Sequence, residues 1–66
     1  MLESKVKVKI VEKGLKQKYL AKKMGVSTQT LSAWATGRII PPLESAFKLA
    51  DILDCEISDL WEYKKE

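Results

Sequence analysis

The stretch GVSTQTLSAWATGR, Gly25 to Arg38, decides the reading of this chain. Leu31 and Trp34 fall on one face at helical spacing. Ser27 is placed to accept from a backbone N–H two or three residues ahead and so cap a helix. Gly37 is placed to stop it. The predicted helix covers residues 28–36 and is about 13 Å long at ~1.5 Å per residue. Its other residues are mostly Ser, Thr and Gln, which favour caps and turns over helix interiors. They leave an outer face with almost no charge.

Helices are predicted on both sides of this segment. In QKYLAKKM, residues 17–24, Leu20 and Met24 are four apart with Ala21 beside them, and Lys18, Lys22 and Lys23 point outward. Gly25 ends that helix in the left-handed conformation open to glycine. The first segment is ambiguous. KVKVKI alternates like a strand, whereas Leu2, Val6 and Ile10 share one helix face. We expect a helix over about 4–13, capped by Ser4 and closed by Gly14, because no partner strand is evident. Pro41-Pro42 introduces a fourth helix with Leu43, Ala46, Phe47, Ala50 and Leu53 as its apolar face. Ser58 is the expected cap of a short fifth helix carrying Leu60 and Trp61. With Leu15, Val26 and Ile57 these positions supply the core, each Leu- or Phe-sized side chain contributing about 1.5–3 kcal/mol when fully buried. The expected architecture is all-α, one domain over 1–66, with a core at about 4–61 and a frayed tail at 62–66.

Composition narrows the function. Cys55 is the only cysteine and histidine is absent, so neither a disulfide nor a structural zinc site is expected. Nothing resembles a catalytic constellation or a phosphate-cradling glycine loop, so neither an enzyme nor a cofactor is expected. No apolar run reaches the ~18–20 residues of a membrane span, and MLESKVKVKI lacks the apolar core of a signal peptide. A soluble, cytoplasmic protein is the expectation. Charge is unevenly placed. Residues 1–38 carry nine basic and two acidic side chains, and residues 39–66 carry three basic and seven acidic. A net +7 half and a net −4 half, together +3, suggest a basic face aimed at a polyanion.

Gln17 to Trp34 resembles the helix-turn-helix of the Cro-like and phage-repressor (XRE-type) DNA-binding regulators. Counted from Gln17, Ala21 fills the small-residue position where two helices cross. Gly25 fills the turn position, and Leu31 and Trp34 the two buried positions of the second helix. The resemblance covers about residues 4–61 and implies a lambda-repressor-like fold of five helices, the third lying in the DNA major groove. It implies base readout by Thr28, Gln29, Ser32 and Ala33. Gln29 is able to pair bidentately with adenine, and Thr28 to meet a thymine methyl. It implies phosphate contacts from Lys16, Gln17, Lys18, Ser27, Thr36 and Arg38. It further implies a homodimer on a palindromic double-stranded operator, for which Ile57, Leu60, Trp61 and Tyr63 are the candidate contacts.

Three departures from the family pattern stand out. Lys16 replaces the hydroxyl cap before Gln17. Pro41-Pro42 replaces a Pro-Ser start to the fourth helix. Ile10 and Ala35 occupy positions where many members carry a buried Arg–Glu pair, so both charges are missing together. The main rival reading is a protein-interaction module, such as an antitoxin, on the same fold. Steep salt dependence marks DNA binding and weak dependence marks an apolar protein interface.

Overall fold

The computed structural model describes residues 1–65. Five helices follow one another along the chain: α1 (Val6–Glu12), α2 (Gln17–Met24), α3 (Thr28–Thr36), α4 (Leu43–Ile52) and α5 (Ile57–Leu60). They are bracketed by two short strands, β1 (Leu2–Ser4) and β2 (Trp61–Tyr63), which pair antiparallel with Leu2 opposite Tyr63 and Ser4 opposite Trp61.

That strand pair replaces the helical start expected at residue 4 and the frayed tail expected at 62–66. The alternation in KVKVKI resolves as helix, as expected, because Val6 and Ile10 bury fully while Val8 and Val11 stay in water. The strand lies just upstream, and its partner is the segment expected to fray. The Met1 ammonium donates to the Lys64 carbonyl at 2.9 Å, and the Lys64 N–H donates to the Met1 carbonyl at 2.7 Å, so pairing continues through residue 64. Glu66, the last residue of the predicted tail, lies outside the described residues. Ser4 stands one residue before the N-cap position of α1, where its Oγ accepts from the Val6 N–H only at 3.4 Å. Lys5 holds the N-cap position without a side-chain bond, and Ser4 turns toward α3.

Local signals elsewhere hold closely. Gly14, Gly25 and Gly37 all take positive φ, the last two as left-handed caps of α2 and α3. Ser27 Oγ accepts from the Thr30 N–H at 3.1 Å. At α5 the cap is Glu56 rather than Ser58. The Glu56 N–H donates to the Asp59 carboxylate at 2.9 Å, and Ser58 sits exposed within the helix.

The core gathers Val6, Leu20, Leu31, Leu49, Leu53 and Leu60 as its largest fully buried side chains. The predicted face of α4 is rotated. Leu43 and Phe47 are exposed, while Leu49 joins Ala46, Ala50 and Leu53 inside. Apolar residues surround enough of this helix that periodicity alone does not say which arc faces inward. Cys55 is half-buried against the core, and burial pushes its thiol above the usual value, as befits a packing residue.

Candidate nucleic-acid interface

α2 and α3 pack against each other across the Gly25 turn, with Ala21 buried between them. Leu31, Trp34 and Ala35 anchor the inner side of α3 at 0–5% exposure. The opposite side carries Thr28, Ser32 and Thr36, spaced by four, with Gln29 about 100° round from Thr28. Thr28, Gln29 and Thr36 are exposed and Ser32 is half-buried. This ridge has no charged residue, and none of its side chains is longer than Gln29. The major groove it would enter is about 12 Å wide.

Ala33 leaves the predicted readout set. It lies about 40° beyond Gln29 around the helix and is only 3% exposed. The chain turns back at Gly37, and the N–H groups of Arg38 and Ile39 both donate to the Ala33 carbonyl. Thr36, assigned from the resemblance to phosphate, shares the outer side with the candidate base readers. Its hydroxyl donates to the Ser32 carbonyl at 2.9 Å, so it reaches a phosphate only by turning that hydrogen away. Ser27 is exposed, but its hydroxyl is already engaged: it accepts from the Thr30 N–H and donates to Thr30 Oγ1 at 2.9 Å.

Cationic groups flank the ridge in sequence on both sides. Lys16 and Lys18 are exposed around the start of α2, where Gln17 is half-buried. The N-cap of α2 makes no side-chain bond, so its first backbone N–H groups are free to meet an anion. Arg38 is exposed just past Gly37. Among the described residues the ion pairs are Lys5–Glu62, Lys9–Glu12 and Lys64–Glu62, and none uses Lys16, Lys18, Lys22, Lys23 or Arg38. Lys23 instead rests over the Tyr19 ring at 5.8 Å.

The candidate dimer contacts divide. Leu60 and Trp61 are 0% and 8% exposed and close the core of the single chain, so they are withdrawn from that role. Trp61 packs into the core cluster while its residue pairs with Ser4 across the strands. Its Nε1 is buried without a partner. Ile57 and Tyr63 remain accessible and line an apolar groove of about 490 Å³ with Leu2, Ile40, Pro41 and Leu43. Phe47, one turn beyond Leu43, projects into water on the same helix. The adjacent Ile39-Ile40 and the Leu43/Phe47 pair were the sequence signals for this surface. Helical spacing alone assigns Leu43 and Phe47 to the core instead. Among the described residues no helix is long and apolar enough to cross a membrane.

Comparison with known proteins agrees with this geometry. The helix-turn-helix family model matches residues 6–60. The chain belongs to that family, whose members are DNA-binding transcriptional regulators and not enzymes. It is 37% identical over 65 residues to an uncharacterised HTH-type transcriptional regulator of Methanocaldococcus jannaschii, covering 98% of each chain. It is 36% identical over 53 residues to another from Archaeoglobus fulgidus, covering 80% of this chain and 76% of that one. The crystal structure of a proposed DNA-binding protein from Bacteroides fragilis superposes with a TM-score of 0.88 at 31% identity. That match covers 94% of this chain and all of the other.

Proposed function

We propose that this chain is a small, single-domain, Cro/repressor-like regulator that binds a palindromic double-stranded operator as a homodimer. α3 enters the major groove, with Thr28, Gln29 and Ser32 at the base edges. Lys16, Gln17, Lys18 and Arg38 donate to phosphate, as does the Thr36 hydroxyl once its hydrogen turns from the Ser32 carbonyl, and Ser27 holds the start of α3 in place. The observation that carries this reading is the uncharged, short-side-chained ridge of α3, backed by unpaired cations. Charge supplies affinity to any duplex, and neutral hydrogen-bonding side chains discriminate between sequences. The apolar groove beside Leu43 and Tyr63 supports a second copy as partner and replaces the buried Leu60 and Trp61 as the dimer contact. Two copies would present their α3 helices to half-sites about 34–36 Å apart. The site of action is the cytoplasmic nucleoid.

Selection of bound sequences from a random duplex pool tests this directly. The expected product is a two-fold symmetric site whose affinity falls steeply between 50 and 200 mM salt, as about six phosphate contacts require. Recovery of no enriched sequence contradicts it. The groove also favours a second reading, in which the same fold holds a different protein chain. Salt-insensitive binding of such a chain, with no duplex protected, would establish that alternative.

A further inference from the structure

The last turn of a helix leaves carbonyls without intrahelical donors. On α3 the Trp34 carbonyl accepts from the Gly37 N–H at 3.3 Å, and both it and the Ala35 carbonyl are also met from the far end of the chain. Ser4 Oγ donates to the Trp34 carbonyl at 3.0 Å and to the Ala35 carbonyl at 3.2 Å, a shared hydrogen between adjacent acceptors. Ser4 is itself held firmly. The Lys5 N–H donates to the Leu60 carbonyl at 2.7 Å, the Val6 N–H reaches Ser4 Oγ at 3.4 Å, and Ser4 pairs with Trp61 across the strands. Lys5 Nζ meets Glu62 Oε1 at 2.7 Å over the same pair. The approach to α3 is close: a Cβ added at Gly37 would stand 3.4 Å from Ser4 Cβ.

We propose that Ser4 is a positioning residue for sequence readout, through which the terminal strand pair sets the last turn of α3 and the loop bearing Arg38. This rests on the DNA-binding reading above. α3 then has two fixed ends. Ser27 holds its first turn and Ser4 its last, so Thr28, Gln29 and Ser32 meet the bases from a helix that cannot tilt or fray. Bidentate base contacts demand that alignment. Phosphate contacts from long, flexible lysines do not. Loosening the clasp is therefore expected to reduce discrimination while sparing non-specific affinity.

The test compares Ser4→Ala and Ser4→Thr with the natural chain, at a temperature where all three are fully folded. In free protein, Ser4→Ala is expected to speed amide exchange at Gly37, Arg38 and Ile39 about fivefold, the loss of one ordinary hydrogen bond. Exchange at Thr30, in the first turn, stays constant. With the selected duplex and a scrambled one, Ser4→Ala lowers the affinity ratio severalfold and leaves the scrambled affinity unchanged. Ser4→Thr, which keeps the hydroxyl, restores both. Unchanged exchange, or an unchanged ratio, or a parallel fall in both affinities tracking a lower Tm, would overturn the proposal. If the natural chain prefers no duplex, the readout role fails together with the DNA-binding reading. The exchange measurement still reports separately whether the clasp forms.

Discussion

α3 and α4 are nearly equal in length, and each lies with one side in water. The water side of α4 carries Glu44, Lys48 and Asp51, as a solvent-facing helix usually does, together with two large apolar side chains, Leu43 and Phe47. The water side of α3 carries neither charge nor bulk: Thr28, Gln29, Ser32 and Thr36. Each helix thus departs from the ordinary exposed face in its own direction. Short neutral hydrogen-bonding groups suit a wet, polar partner that must be read edge by edge. Exposed Leu and Phe suit a dry one, since each Leu- or Phe-sized side chain is worth about 1.5–3 kcal/mol only when something covers it. On the function proposed above, the two helices would face different partners, one a duplex and the other a protein surface.

The largest expected effect breaks the frame under α3. Ala35 is 3% exposed on its inner side, and Ile10, which the family resemblance matches to an arginine position, is also buried. Ala35→Glu places a carboxylate there without a partner and is expected to cost about 3–5 kcal/mol. For a domain of this size that lowers Tm by more than ~12 °C. Ile10→Arg combined with Ala35→Glu should recover part of the loss. Thermal melts of the two variants check both statements, and an unchanged Tm for the single variant contradicts the account of the missing pair.

Gln29→Ala sharpens the comparison on the α3 side. Competition binding should show a loss of about 1–3 kcal/mol confined to one base pair of each half-site. Tm and scrambled-duplex affinity should stay constant, because the side chain is exposed. On the α4 side, Leu43→Ser and Phe47→Ser should change folding stability by no more than about 0.5 kcal/mol, since both residues already lie in water. Sedimentation should nevertheless shift from dimer to monomer. A dimer that survives both substitutions removes the groove from consideration.

The smallest effect concerns the strand pair. Hydrogen bonds from Lys5 and then Lys64 hold the Glu62 carboxyl below its ordinary value of 4.5, and the Glu62 hydrogen bond raises Lys5 above its ordinary 10.5. Glu62 therefore contributes stability above about pH 4.5 that disappears as pH falls through its lowered value in the folded chain. The Lys5 contribution is complete below pH 10.5 and disappears only as pH rises through its raised value. Both groups are solvent-exposed, so the effect is modest and screened by salt. The protection factors of the Glu3 and Glu62 amides, each taken relative to the unstructured-chain rate at the same pH, are expected to fall from pH 6 to pH 3 at low salt, with less contrast in 1 M salt.

Most of the helical frame was legible in the residues because its signals are local. Ser27 finds its donor three positions away, and Gly25 and Gly37 adopt a backbone conformation that side chains resist. Val6 and Ile10 declare a helix face despite the alternation around them. The candidate base readers Thr28, Gln29 and Ser32 were equally legible, because an uncharged run on an otherwise basic half of the chain stands out. Ala33 was not, since its burial depends on the chain turning back at Gly37.

What the amino-acid order determined by itself is therefore the helices, the ends marked by Ser27, Gly25 and Gly37, and the uncharged character of α3, all products of chemistry within about four residues. Tertiary structure alone decided which arc of α4 faces inward, why Trp61 belongs to the core, and that Leu2–Ser4 would find Trp61–Tyr63. Those outcomes depend on which surfaces distant segments bring together, and strands of three residues carry too little local signal to name a partner at the other end of the chain.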